Sequence, residues 1–322
     1  MTKYAVPIVA ILAAAPFALQ SFQVTLLTEI LIFALFAMSL DVQMGYARMF
    51  SFGHVLPYGV GAYACAFALL AGWPLPYALA VAVLAAMLLA IPIGWLSTRA
   101  SGVAFAMLTL AFAQLGYAIV FKWNSLTGGS DGLTGFTRNA GPFGFEGFVS
   151  RDGYFWLVLT VVFTMYWLAR GFMNSAMGRA IVAVRENETR ASAIGYKPRS
   201  LRIVAFVLSS TLAGVAGALH AGFLLFVSPE ILHWMLSGHV IIAVILGGAG
   251  TLVGPMVGAA LIVLAHHKLS AVTDSWPLVM GLLFIFVVIA APKGLWGINA
   301  SLAARLSRRR RVLQLGEKNA AS

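Results

Sequence analysis

Charged residues are scarce in this sequence, because Asp, Glu, Lys and Arg make up 10% of its 322 residues and 61% are hydrophobic. Typical soluble domains carry about 25% charged residues, which help to cover the surface that faces water. A chain with so few of them has too little polar surface for a soluble globule, and its mean hydropathy of +0.92 agrees. The composition therefore indicates an integral membrane protein.

The sequence also has a single cysteine and lacks the phosphate-binding loop of ATPases. Cys65 is the single cysteine, so no disulfide forms within the chain. No Gly-Lys dipeptide occurs, which excludes the G-x-x-x-x-G-K-[ST] loop that cradles ATP phosphates. His266 and His267 are adjacent rather than four residues apart, so they do not match a zinc motif. We expect no ATP hydrolysis by that route, no metal site and no cofactor in this chain.

Long stretches without a charged residue mark the membrane-embedded part. A spanning helix needs about 20 apolar residues, so the longest stretches each hold two crossings. Barrel strands are only about ten residues long and are separated by turns, so these stretches favour helices. We predict an all-α bundle of about ten spans, with a range of eight to ten. The stretches are Tyr4–Thr28, Met49–Thr98, Ala100–Phe121, Gly153–Ala169, Ile203–Pro229, Ile231–His267 and Ser275–Pro292.

The distribution of Lys and Arg predicts the orientation of the chain, because these residues concentrate on the cytoplasmic side. Segment 171–202 and the tail 299–322 are rich in basic residues, so both are assigned to the cytoplasm. Segment 122–152 has balanced charge and is assigned to the outer, periplasmic side. The transmembrane domain then covers residues 1–298, with both termini in the cytoplasm. Basic span ends facing anionic lipid explain the net charge of +11, so we expect no nucleic acid partner.

Two glycine-rich segments interrupt the apolar pattern and are candidates for a translocation path. They are GYARMFSFGHVLPYGVGAY, residues 45–63, and LTGGSDGLTGF, residues 126–136. Irregular backbone at membrane depth is tolerated where protein or a water-filled path covers it. The first segment fits a path and a cytoplasmic turn equally well. The pathway candidates are Ser51, Gly53, His54, Gly128, Gly129, Ser130 and Asp131.

A third glycine-rich stretch and two acids complete the membrane features. Gly250, Gly254 and Gly258 have the four-residue spacing that packs membrane helices closely. Glu29 and Asp41 fall near opposite ends of one predicted span. Acids within lipid are functional candidates, but near an interface they are more often solvated, which is the interpretation we favour here.

The segment GRAIVAVRENETRASAIGYKPRSLR, residues 178–202, is highly charged although it lies between two apolar stretches. Its apolar residues recur at helical spacing: Ile181, Val184, Ala191 and Ile194. They predict an amphipathic helix over 177–194 that ends at Gly195. Two alternatives remain for its apolar face. A partner's groove covers it, or the segment is a solvated loop with charge pairs such as Arg185 with Glu188.

Taken in order, these segments resemble the LivM-type permease subunits of bacterial branched-chain amino-acid ABC importers. Each motif alone is weak, but their combination is specific and extends over about residues 25–297. The resemblance is carried by GYARMFSFGHVLPYGVGAY, LTLAFAQLGYAIVFKWNSLTGGSDGL, VRENETRASAIGYKPRSLRIVAFVLSSTLAGVAGAL, FVSPEILHW, ILGGAGTLVGPMVGAAL and APKGLWG.

The resemblance implies a type II-like ABC importer permease in the bacterial inner membrane, moving branched-chain amino acids or related small polar solutes by alternating access. It implies a second, LivH-like permease, two cytoplasmic ATPase subunits that hydrolyse ATP, and a periplasmic substrate-binding protein. It also implies that segment 171–202 is the coupling loop that docks on an ATPase. The implied contact residues are Arg185, Glu186, Asn187 and Gly195.

Departures from the family pattern keep other functions open. Asp41, Gln43, Arg48 and Pro57 stand where relatives usually have other residues. Urea, short amides or aromatic acids are therefore alternative cargoes. An ion-coupled secondary transporter is the alternative of a different class, and it would need Glu29 or Asp41 as its ion site.

Overall fold

The computed structural model describes residues 15–139 and 145–271, together with Leu12 and isolated positions between Ser275 and Gly294. Within this described part, every regular element is a helix, apart from an isolated antiparallel bridge between Leu133 and Val227. The predicted all-α fold is therefore confirmed for these residues. The predicted basic tail and most of the run Ser275–Pro292 lie outside them.

Ten helices are numbered here in chain order. They are α1 (Ser21–Asp41), α2 (Val55–Leu70), α3 (Leu75–Ser97), α4 (Gly102–Lys122), α5 (Arg151–Asn174), α6 (Ala176–Glu186), α7 (Glu188–Ala193), α8 (Pro198–Leu224), α9 (Trp234–Gly247) and α10 (Val253–Ser270). A π-helical turn, Val42–Tyr46, continues α1. Short helical turns occupy Ala15–Ala18, Asn124–Thr127, Gly129–Asp131, Phe145–Phe148 and Pro229–Leu232.

Six of the described helices are long and apolar enough to cross a membrane: α1 with its π-helical turn, α3, α4, α5, α8 and α10. Helices α2 and α9 are apolar but shorter. These helices establish a polytopic bundle, and they do not by themselves confirm the count of ten spans.

The two longest apolar runs, each predicted to hold two crossings, each divide into two helices, and one helix of each pair, α3 and α10, is long enough to span a membrane. Gly72 separates α2 from α3 with a positive φ of 79°, and Pro74 then starts α3. The second run divides between α9 and α10 at a turn that contains Gly248 and Gly250, with φ of 109° and 82°. Backbone in this left-handed region is easily reached only by glycine, so the sequence ends each helix there.

Helix α8 lies at the centre of the bundle and packs against α1, α2 and α3. Its contact with α2 is backbone against backbone. A Cβ atom on Gly217 would lie 1.9 Å from the Tyr58 carbonyl oxygen, and one on Gly61 would lie 2.1 Å from the Gly214 oxygen. Such small-residue crossings are typical of helix packing in membranes, where no hydrophobic force draws helices together.

The spacing of Gly250, Gly254 and Gly258 was interpreted as one helix-packing motif, which is correct for two of the three. Gly258 and Gly254 pack α10 against α9, where added Cβ atoms would lie 2.1 Å from the Ala243 oxygen and 2.5 Å from the Gly247 oxygen. Gly250 instead lies in the turn before α10. Its role concerns that turn and not the helix contact.

Candidate functional site

The charged segment consists of two short helices rather than the single helix predicted over 177–194. Helix α6 ends at Glu186, and Asn187 has an extended conformation with φ −157° and ψ 104°. The Asn187 side-chain oxygen accepts a hydrogen bond of 2.8 Å from the Arg190 backbone N–H, which caps the start of α7. Asn residues favour this cap over helix interiors, which explains the break. Gly195 follows α7 with φ of 93°, at the predicted end of the helix.

The apolar face of this segment is covered by the chain itself. Ile181, Val184 and Ala191 are 2%, 6% and 3% exposed. They belong to a separate apolar cluster, whose other buried members are Ala47, Met49, Ala90, Phe105, Ala180, Leu201, Ala205 and Phe206. A partner's groove is therefore not needed for this face. Ile194, expected on the same face, is 70% exposed.

The outward face of the segment carries the side chains that remain available to a partner. Glu186, Asn187 and Arg190 are exposed. Ile194 and Tyr196 extend this face with apolar surface, because 70% and 42% of them remain exposed. We call these five residues the outward face of the predicted coupling segment. Three of the four predicted coupling residues lie in or beside it, namely Glu186, Asn187 and Gly195.

Arg185 points in the other direction and ties α6 to the end of α1. Its Nη1 donates a hydrogen bond of 2.8 Å to the Gly45 carbonyl oxygen. Its other nitrogens bind the Glu186 carboxylate, and this hydrogen bond and charge lower the pKa of Glu186. The predicted pairing of Arg185 with Glu188 is therefore wrong. Glu188 instead accepts a hydrogen bond of 2.6 Å from Arg202.

Asp41 is fully buried, so its predicted solvated position near an interface is wrong. Its carboxylate accepts hydrogen bonds from the backbone N–H groups of Gly250, Thr251 and Leu252 at 2.6, 3.1 and 2.9 Å. A buried carboxylate is tolerated where several donors satisfy it. Asp41 thereby holds the turn between α9 and α10, and its oxygens are occupied by that contact.

Glu29 lies beside a histidine-rich cavity that sequence reasoning missed. Its Oε2 is 2.8 Å from Nε2 of His267, across the contact between α1 and α10. The cavity has a volume of about 210 Å³ and is also lined by His220, His239 and His266. Among the residues that the structure describes, no group of three or more His, Cys, Asp and Glu could hold a metal ion.

The inner pathway candidates are packed inside the bundle. Ser51 and His54 are 1% and 2% exposed, and the His54 ring stacks on Phe36 with 5.4 Å between ring centroids. A Cβ atom on Gly53 would lie 2.2 Å from the Thr109 carbonyl oxygen, so this loop rests directly on α4. Their assignment to a path stays a prediction.

The outer pathway candidates form a tight turn after α4. Gly128 and Gly129 have φ of 75° and 57°, and the Ser130 hydroxyl donates to the Asp131 carboxylate at 3.1 Å. Ser130 and Asp131 are exposed. About 20 Å of helix separates Thr109 from the end of α4, given a rise of about 1.5 Å per residue. The structure therefore does not bring the inner and outer candidates together.

Arg138 fixes the loop between α4 and α5 to the bundle, a role that sequence reasoning missed. Its Nε donates to the Gly222 carbonyl at 2.8 Å, and its guanidinium carbon lies 4.2 Å from the ring centre of Tyr154. Burial lowers the pKa of Arg138. The signal in the sequence was a single basic residue within the glycine-rich stretch 132–150.

These features define a class of protein: a multi-pass helical membrane protein with a charged segment anchored at one end of the bundle. A family model described as the permease component of the branched-chain amino acid transport system matches residues 22–289. The chain therefore belongs to this family of transport permeases.

Individual relatives agree with the family. The chain is 28% identical to the high-affinity branched-chain amino acid transport system permease protein LivM of Escherichia coli (strain K12), over 91% of this chain and 74% of the relative. It is 28% identical to LivM of Salmonella typhimurium, over 87% of this chain and 71% of the relative.

More distant relatives match a smaller part of the chain. The permease protein LivH of E. coli K12 is 32% identical over 38% of this chain and 40% of its own length. The autoinducer 2 import system permease protein LsrC of Yersinia pseudotuberculosis is 30% identical over 33% of this chain and 31% of its own length. No solved structure matches the chain.

Proposed function

We propose that this chain is the LivM-like membrane subunit of an ABC importer that moves branched-chain amino acids, or related small polar solutes, across the bacterial inner membrane. Family membership and the two LivM relatives support the permease role. The observation that carries the coupling role is the anchored segment. Its apolar face is buried in its own bundle, and its polar outward face is left open to a partner.

The proposed membrane architecture has ten spans. Eight are the described apolar helices α1–α5 and α8–α10. The other two are apolar runs that lie mostly outside the described residues, near the N-terminus and at Ser275–Pro292. With 171–202 in the cytoplasm, segment 122–152 faces the periplasm and both termini are cytoplasmic. The permease domain is then 1–298, followed by the basic tail 299–322.

The proposed partners divide the work of transport. Two cytoplasmic ATPase subunits bind and hydrolyse ATP, and this chain itself needs no cofactor. A periplasmic binding protein delivers the solute, and a second, LivH-like permease completes the path. Helices α3 and α4 expose much of their surface in this chain, including Leu88 at 65% and Val103 at 73%, which offers area for the second permease or for lipid.

In the proposed mechanism, the outward face of the coupling segment docks on an ATPase. Closure of the ATPases on ATP moves α6 and α7, and the bundle responds by opening the path alternately to each side. Arg185, Glu186, Asn187 and Gly195 hold or form the docking surface. Ser51, Gly53, His54, Gly128, Gly129, Ser130 and Asp131 remain the proposed pathway residues.

The proposed cargo is a branched-chain amino acid or a related small polar solute. One relative is named for autoinducer 2 import, so similar permeases serve different solutes. Urea, amides and aromatic acids stay as alternative cargoes. The Glu29–His267 pair is the one observation that favours an ion-coupled carrier, since an acid within the bundle is the kind of site such a carrier needs.

The test of the proposed function is uptake of radiolabelled leucine by vesicles that contain the complete importer. Uptake should continue when proton and sodium gradients are collapsed, and it should stop when ATP is removed. The charge-reversed variant Arg185→Glu with Glu186→Arg should insert normally but lose ATP-dependent uptake. Uptake that follows an ion gradient and ignores ATP would establish the secondary carrier instead.

A further inference from the structure

Three segments that are distant in sequence meet at the C-terminal end of α1. They are the π-helical turn 42–46, the turn 248–252 between α9 and α10, and helix α6 of the coupling segment. The contacts between them are direct, and two of the three are polar, although they lie within an apolar bundle. This arrangement connects the coupling segment to the end of α1 and to the turn between α9 and α10, which are distant from it in the sequence.

The first contact is made by the Asp41 carboxylate, which receives three backbone N–H groups from residues 250–252. The turn has unusual backbone conformations, with φ of 82° at Gly250 and 60° at Leu252. A positive φ at a leucine is strained and persists only where the surroundings impose it. The carboxylate supplies that constraint, because consecutive N–H groups form an anion-binding concavity around it.

The second contact is steric. A Cβ atom on Gly45 would lie 2.1 Å from the Asp41 carboxylate and 2.3 Å from the Gly250 backbone nitrogen. Only glycine fits this position, so the π-helical turn and the 248–252 turn touch without any side chain between them. A displacement of one turn is therefore passed directly to the other.

The third contact is Arg185, whose Nη1 donates to the Gly45 carbonyl oxygen at 2.8 Å. A Cβ atom on Gly250 would lie 3.5 Å from this same nitrogen, so the guanidinium also rests against the neighbouring turn. Arg185 is the side chain of α6 that reaches both turns. Its planar group with several donors makes this contact more directional than a lysine could.

We propose that Asp41 and Arg185 are positioning residues that transmit movement of the coupling segment to the α9–α10 hairpin. Arg185 passes the movement from α6 to Gly45, and Asp41 passes it from the end of α1 to residues 250–252. This inference rests on the proposed function, because it presumes an ATPase that moves the segment. It adds a route by which that movement reaches the bundle.

Hydrogen exchange of the assembled importer tests the route, measured with and without a non-hydrolysable ATP analogue. In the wild type, the analogue should change the exchange rate of the 250–252 amides about tenfold, which corresponds to loss or gain of one such contact. In Arg185→Met assemblies that still retain the ATPase subunits, the same amides should no longer respond. The matched control is Arg179→Met. Arg179 is also an arginine of α6, but it donates to the Asn174 carbonyl oxygen at 2.5 Å, at the start of the segment. This control should keep the wild-type response.

A second variant examines the carboxylate. Asp41→Asn retains one acceptor oxygen and replaces the other with an amide donor, so at least one of the three amides should exchange about tenfold faster. Solute moved per ATP hydrolysed should fall in this variant and in Arg185→Met, while Asp152→Asn, an exposed acid at the start of α5, should match the wild type.

The outcomes separate this inference from the proposed function. If the wild-type amides ignore the analogue, or if Arg185→Met responds like the wild type, the transmission route is wrong even when uptake is driven by ATP. If Asp41→Asn fails to assemble, the exchange response of Arg185→Met still decides the matter. A wild-type complex without any ATP-dependent uptake overturns the proposed function itself.

Discussion

The close crossing of α8 and α2 gives the sharpest stability prediction, which is that Gly217→Ala destabilises the protein. The added methyl group would lie 1.9 Å from the Tyr58 carbonyl oxygen, 2.7 Å from its carbon and 3.2 Å from the Ala62 nitrogen. All three are backbone atoms, so no rotamer change relieves the overlap and the helices must separate. Overpacking of this kind costs about 3 kcal/mol at the upper end of its range. Alanine's better helix propensity returns at most about 1 kcal/mol.

The net expectation is a loss of about 2 kcal/mol in the free energy of unfolding. Gly171→Ala in α5 is the matched control, because a Cβ atom there would meet nothing within 4 Å. This control should gain about 0.5–1 kcal/mol from helix propensity alone. The assay is unfolding in mixed micelles on titration with SDS, followed by helical circular dichroism. Equal shifts in the two variants, or a stabilised Gly217→Ala, would refute the close crossing.

Three further predictions concern the loops. Asp131→Asn should lower solute uptake about tenfold, because the neutral amide no longer attracts the ammonium group of an amino-acid cargo, and unchanged uptake would remove the residue from the path. Arg138→Ala should lower the free energy of unfolding by about 2 kcal/mol, because it removes charge-assisted bonds and a cation–π contact, and thermal unfolding below the wild-type midpoint would confirm it. Gly195→Ala places a side chain at a φ of 93° and should lower the free energy of local unfolding around α7 by about 1–2 kcal/mol. The measurement is hydrogen exchange, which should be faster for the amides of α7 and unchanged for those of α8.

Much of the fold could be predicted from the distribution of charge and glycine. The apolar runs predicted helices, and the division of Met49–Thr98 into two helices followed from its length. Gly195 was predicted to end a helix and has the expected left-handed backbone. These features depend on local sequence, where the physical rules are strong.

The contacts between distant segments could not be predicted in the same way. The hydrogen bonds of Asp41 span about two hundred residues of sequence, and nothing local to Asp41 specifies residues 250–252. The helical spacing predicted an apolar face of four residues, of which Ile181, Val184 and Ala191 are buried and Ile194 is exposed. Spacing does not tell whether the same chain or a partner covers such a face. Asn187 interrupts the helix because its side chain caps the start of α7. Asn is more favourable at a cap than inside a helix, but the prediction gave more weight to the helical spacing of the apolar residues.

Co-purification can show whether the outward face of the coupling segment docks on an ATPase subunit. The tagged chain is expressed with its candidate ATPase subunits as the wild type, as Arg190→Glu with Ile194→Asp, and as the control Leu126→Asp. Ile194 and Leu126 are both exposed leucine-sized side chains, at 70% and 47%, but they lie on opposite sides of the proposed membrane. The wild type and Leu126→Asp should retain the ATPase, and the double variant should lose it. Retention of the ATPase by the double variant, with normal insertion of all three proteins, would show that this face is not the docking surface.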